Sequence, residues 1–178
     1  DHDSRFFDGA ITGPGSLNLV GRNNNTYHMN ADNSFSGGLI ANGSGWRIEA
    51  NTAGSLGVGD VTINDDITLQ IDAANAMGDL ATLFLNGDKD GRRDSKLILN
   101  ANDTIMAFFL DGVDQGTGTF DKDSGLFDSA NNPLITGDGV LTVTGPLDVI
   151  IPEPASLAIW SLGLLGLACC ARRRRRVA

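Results

Sequence analysis

The densest group of oxygen-bearing side chains lies in Asn86-Gly87-Asp88-Lys89-Asp90-Gly91-Arg92-Arg93-Asp94. It puts Asn86, Asp88, Asp90 and Asp94 at positions 1, 3, 5 and 9 of a calcium loop, with Gly91 at position 6, where the chain must turn sharply. Position 12 holds Leu97 instead of a bidentate glutamate, and Lys89, Arg92 and Arg93 offset the negative charge. A charged connection between strands is the preferred reading and calcium the weaker one. Asp121-Lys122-Asp123-Ser124-Gly125 is a fainter second cluster of the same kind.

Other chemistries fare worse. A serine nucleophile needs a base within hydrogen-bond reach, and the two histidines are His2 and His28, which reads as a polar turn residue beside the Asn run. No Gly-x-Ser-x-Gly elbow occurs. Cys169 and Cys170 both lie in an apolar tail, so thiol catalysis and a zinc site lack their ligands. Carboxylate pairs remain, with Asp65-Asp66 adjacent, as a polysaccharide hydrolase or lyase would use. Most Asp residues stand beside Gly, Asn or Ser, where capping of turns explains them. The expectation is that the domain is not an enzyme and needs no cofactor.

The elements behind these residues are short strands. Hydrophobic residues make up 41% of the chain, enough for a core, while 23 glycines and runs such as Asn23-Asn24-Asn25 favour closely spaced turns. Strand grammar, apolar residues alternating with polar ones between Gly, Asn or Asp, recurs in Leu17-Asn18-Leu19-Val20, Trp46-Arg47-Ile48-Glu49-Ala50, Val61-Thr62-Ile63 and Ile67-Thr68-Leu69-Gln70-Ile71. It returns in residues 81–85, 96–99, 105–110, 118–120 and 140–144. Residues 73–78 are the one expected helical piece.

Strands so short cannot bury their apolar edges singly and must stack, as a sandwich or as coils of a solenoid. The solenoid is preferred, because the interior would be mostly Leu, Ile and Val with Gly and Asn at the corners. It would make some six or seven coils of about 20–25 residues.

Charge is distributed unevenly. Residues 1–154 hold eight basic and 22 acidic side chains, a net of −14, whereas Arg172, Arg173, Arg174, Arg175 and Arg176 form one block. An acidic domain repels phosphate backbones, which argues against nucleic acid and for solubility or cation attraction. The chain starts at Asp1 without an initiator Met, and the expectation is a processed or truncated product.

Two resemblances complete the reading. Gly15-Ser16-Leu17-Asn18-Leu19, Asn33-Ser34-Phe35-Ser36-Gly37-Gly38 and Ser55-Leu56-Gly57-Val58-Gly59-Asp60-Val61-Thr62-Ile63 resemble the autotransporter-associated β-strand repeat, which implies a right-handed parallel β-helix. Residues 96–145 resemble the closing segment of such proteins. At the other end, residues 155–171 are 17 consecutive uncharged residues. As a helix they would span roughly 25 Å of an apolar core about 30 Å thick. The arginine block would hold its end in the cytoplasm.

Pro152-Glu153-Pro154, the apolar run and the arginines together resemble the PEP-CTERM sorting signal. That resemblance implies that Pro152, Glu153 and Pro154 are recognised by exosortase, a membrane protease-transpeptidase, and that the helix is a transient anchor. Some proteins with this signal order ice on a threonine ladder. Here Thr117-Thr119 and Thr142-Thr144 are isolated pairs, so ice binding ranks low. Cys169 and Cys170 read as apolar filler before lipidation sites.

The sequence thus gives an all-β chain: residues 1–12 a leading segment, 13–148 a β-solenoid (β-sandwich as the alternative), 149–154 a linker, 155–171 a transmembrane helix and 172–178 a basic cytoplasmic tail. The expected function is a structural or adhesive surface or matrix protein, anchored first in the membrane and then released to the cell surface or outside. Exopolysaccharide is the matrix partner this reading admits. The rivals are a carbohydrate-active β-helix enzyme, a calcium-stabilised surface protein and an ice binder.

Overall fold

A computed structural model describes residues 3–87, 94–128 and 131–146. The strands are β1 (Ser4–Phe7), β2 (Thr12–Gly13), β3 (Leu17–Arg22), β4 (Thr26–Met29), β5 (Ser34–Phe35), β6 (Leu39–Ala50), β7 (Val61–Ile63) and β8 (Asp66–Ile71). They continue as β9 (Thr82–Leu85), β10 (Lys96–Leu99), β11 (Asp103–Ile105), β12 (Ala107–Leu110), β13 (Val113–Asp114), β14 (Gly118–Phe120), β15 (Ile135–Thr136) and β16 (Leu141–Val143). No helix occurs among the described residues, and the strands coil into a β-solenoid.

Three stacks of parallel strands form its faces. The first runs β3–β6–β7–β9–β12, pairing Leu17 with Leu39, Leu39 with Val61, Val61 with Leu83 and Leu83 with Phe108. The second runs β1–β4–β6–β8–β10–β15. Strand β6 serves both because it turns a corner in its middle, where Gly43 has φ 120 and Gly45 φ 71.

The third face starts with β2–β5 and ends with β11–β16, and loop backbone bridges the gap. Asn33 N donates to Gly54 O (3.1 Å), Gly54 N to Asn75 O (2.7 Å) and Asn75 N to Asn102 O (3.2 Å). Pairs from neighbouring coils lie 22 residues apart in the first half, as Ile11 and Asn33 do. Insertions stretch this to 38 between Asn102 and Val140.

The core follows from alternation. In β8 and in the second half of β6, every other residue is buried: Ile48 and Ala50, then Ile67, Leu69 and Ile71. Successive side chains of a strand point to opposite faces, so one inward column per strand suffices. Each buried aliphatic side chain contributes about 1.5–3 kcal/mol over exposure. Phe35, Phe108 and Met29 fill the wider parts. At the far end the stack stops being parallel: β13 pairs antiparallel with β12, and β14 antiparallel with β16.

Two sequence expectations need correction. Residues 73–78 form no helix. Asn75 has φ 55 in a turn, Ala76 and Met77 are buried, and six residues are too few to nucleate a helix against that packing. Within the leading segment Ser4–Phe7 is a strand that pairs with β4, and Ile11 packs on the core. His28 is no turn residue. Asn23 (φ 51) and Asn24 (φ 65) take up the turn, which leaves Thr26–Met29 free to alternate with Tyr27 and Met29 inward.

Candidate functional site

Asparagine side chains line two corners of the solenoid as ladders. At the first, Asn42 Nδ2 donates to Asn18 Oδ1 (3.1 Å), Asn64 Nδ2 to Asn42 Oδ1 (3.0 Å) and Asn86 Nδ2 to Asn64 Oδ1 (2.9 Å). At the second, Asn30 donates to Asp8 (2.7 Å), Asn51 to Asn30 (2.8 Å) and Asn100 to Asp72 (2.7 Å). An amide carries a donor and an acceptor on one planar group, so it can take a bond from one coil and pass one to the next. Sequence reasoning saw these residues only as corner formers. The missed signal was the recurrence of Asn at 42, 64 and 86.

Among the described residues, five carboxylates are each committed to a backbone donor. Asp60 Oδ1 accepts from Thr82 N (2.8 Å), Asp111 from Gly87 N (2.6 Å), Asp114 from Gly116 N (2.9 Å), Asp121 from Asp123 N (2.9 Å) and Asp128 from Asn132 N (2.6 Å). These are separate turns and corners, each using a carboxylate to satisfy a backbone donor.

Among the described residues one carboxylate is buried, Asp103, on the third face. Its two oxygens accept from Met77 N (3.1 Å) and Thr104 N (2.8 Å). Burial lifts its pKa from 3.8 to about 6, against the lowering effect of these backbone donors. It lies 1% exposed, out of reach of a substrate. Lys122 and Asp138 form an exposed pair at 2.6 Å that raises the lysine and lowers the carboxyl.

Of the calcium candidates, Asn86 belongs to the first ladder, with its amide on Asn64. Asp94 lies against Gly87 at the end of the same loop. Asp88 and Asp90 fall outside the described residues. Among the described residues no three His, Cys, Asp or Glu side chains gather as a metal site.

Two open polar grooves flank the corner between the first and second faces. One, of about 400 Å³, is lined by Asn24, Asn25, Thr26, Arg47, Asp66 and Thr68 over Trp46. The other, of about 500 Å³, lies between Arg5, Arg22 and Tyr27. On the second face, His28 Nδ1 is 2.8 Å from Glu49 Oε2, and Phe6 stacks on the imidazole with centroids 4.5 Å apart. This histidine therefore joins two coils and faces no nucleophile.

The candidates Pro152, Glu153, Pro154 and Arg172 to Arg176, and the expected helix 155–171, lie outside the described residues. Here comparison with known proteins speaks. No curated protein and no solved structure matches the chain at a significant level. Residues 151–176 match the PEP-CTERM protein-sorting motif, which marks the chain as an exported protein addressed to the membrane enzyme exosortase and destined for the cell surface or beyond.

Proposed function

We propose that the chain is a non-enzymatic structural or adhesive module of the cell surface or extracellular matrix. Its solenoid is of the right-handed, autotransporter-repeat kind, and its C-terminal signal delivers it. In this reading Pro152, Glu153 and Pro154 are the residues exosortase recognises. Residues 155–171 hold the chain in the membrane as a helix, and Arg172 to Arg176 keep its end in the cytoplasm. The enzyme then cuts the signal, and the solenoid leaves the membrane.

The observation that carries this reading is the sorting motif over residues 151–176 at the end of a stacked-strand domain. Support for a scaffold role comes from the polar side chains. The Asn ladders join coil to coil, and the carboxylates close turns. A catalytic cleft would instead bring two or three carboxylates together.

The test is deletion of residues 152–178, or removal of the exosortase, in an exporting host. The deleted protein is expected in the medium, and the intact protein without exosortase at its unprocessed mass in the membrane. Unchanged location and mass in both cases would overturn the proposal.

A further inference from the structure

The solenoid's exteriors differ in charge. On the first face the outward column is Asn18, Ile40, Thr62, Phe84 and Phe109, in register from coil to coil. Each alternates with buried neighbours such as Leu39, Ala41, Leu83 and Phe108. The ladder Asn42, Asn64 and Asn86 runs alongside. From Asn18 to Phe109 and from Asn42 to Asn86 the two columns hold no charged side chain, and carboxylates border them: Asp60 two residues before Thr62, Asp111 beyond Asn86 and Asp114 opposite Phe109. The second face, by contrast, sets Arg47, Glu49 and Lys96 outward.

This face also has an aromatic platform. Phe84 and Phe109 stack with centroids 5.2 Å apart and planes 22° from parallel. On the neighbouring strand Asp114 stands opposite Phe109 and puts a carboxylate at the end of the column. With strands about 4.8 Å apart, Ile40 to Phe109 covers about 14 Å along the axis. In the ladder each amide uses one N–H toward the preceding coil, which leaves a second N–H for a ligand.

We propose that this face docks a neutral polysaccharide lying along the solenoid axis. Sugar rings present C–H faces that match stacked aromatic and aliphatic side chains, and hydroxyls that match a row of amides. An apolar platform with a few placed polar groups is what fixes a ligand's orientation. Charge selects among glycans: an anionic chain is repelled by the domain's net charge and by the carboxylates bordering the strip, whereas a neutral one brings hydroxyls that those carboxylates can accept. The proposal rests on the adhesive reading above and names its partner class. Its failure is distinguishable, because sorting is read by location and mass, docking by retention on glycan.

The experiment incubates the full chain in mild detergent with cellulose particles, chitin particles and calcium-alginate beads, and measures the fraction bound. Retention on cellulose or chitin and not on alginate is expected. Thr62→Glu and the pair Phe84→Ala with Phe109→Ala should each weaken it about tenfold or more, a loss of about 1.4 kcal/mol. Glu49→Gln on the second face should leave it unchanged. Thr62→Glu points outward from an edge-on column, so its melting temperature should match the parent and show that folding is intact. No retention on either neutral particle, retention indifferent to Thr62→Glu, or stronger retention on alginate would overturn the proposal. A dimer in sedimentation that Thr62→Glu dissolves would overturn it too, in favour of a second copy covering the face.

Discussion

Asn64 donates its side-chain amide to Asn42 across 3.0 Å and, from the other side, accepts the amide of Asn86 across 2.9 Å. Three coils thus share one line of hydrogen bonds whose members sit 22 residues apart. Replacing Asn64 by Leu keeps the size and removes both bonds. Water replaces part of the loss because the site is half-buried. A destabilisation of about 1–2 kcal/mol is expected. Urea denaturation should show the lower midpoint, and an unchanged midpoint would mean the ladder contributes nothing to folding.

Asp103 predicts a pH dependence. Its folded pKa is about 6 against 3.8 for an ordinary aspartate, so the folded state holds the proton more tightly than the unfolded chain. This contribution favours folding below the unfolded pKa and is lost as pH rises from about 4 to 6, on the order of 3 kcal/mol in all. Melting curves of the parent and Asp103→Asn across that window check it. The parent should lose stability relative to the variant as pH rises, and parallel curves would refute the assignment.

Gly43 and Gly112 separate two costs of a left-handed backbone. Both have positive φ, 120 and 76. A Cβ on Gly43 would run into the carbonyl oxygen of Gly21 on the adjacent coil, whereas one on Gly112 meets nothing within 4 Å. Gly112→Ala should therefore cost about 1 kcal/mol from backbone strain alone. Gly43→Ala should cost about 3 kcal/mol or more, since the coils must part. Equal losses in denaturant titration would show that coil spacing is not set at this corner.

The stacked-strand architecture was legible because alternation and turn residues are local. Trp46-Arg47-Ile48-Glu49-Ala50 and Ile67-Thr68-Leu69-Gln70-Ile71 declare which side of each strand is apolar, and both sets are buried as their pattern requires. Residues 73–78 favour a helix by local propensity but turn instead, because backbone bonds between coils hold Gly54, Asn75 and Asn102 in one line. His28 follows the same rule. Its partners Phe6 and Glu49 belong to other coils, 22 and 21 residues away in sequence.

By itself, the sequence determined the address of this protein, because a sorting signal is read as a linear string: Pro-Glu-Pro, an apolar run and a block of arginines. It determined also that the domain must stack short strands, since those strands cannot bury their apolar residues singly. Only the tertiary structure decided what the polar residues do. Asn and Asp are equally able to bind a metal, serve in catalysis or close a turn, and the choice depends on which group of a neighbouring coil lies within about 3 Å of each oxygen. Stacking at a 22-residue step put Asn64 over Asn42 and Asp60 beneath Thr82 N, and it brought Phe84 and Phe109 together on one face.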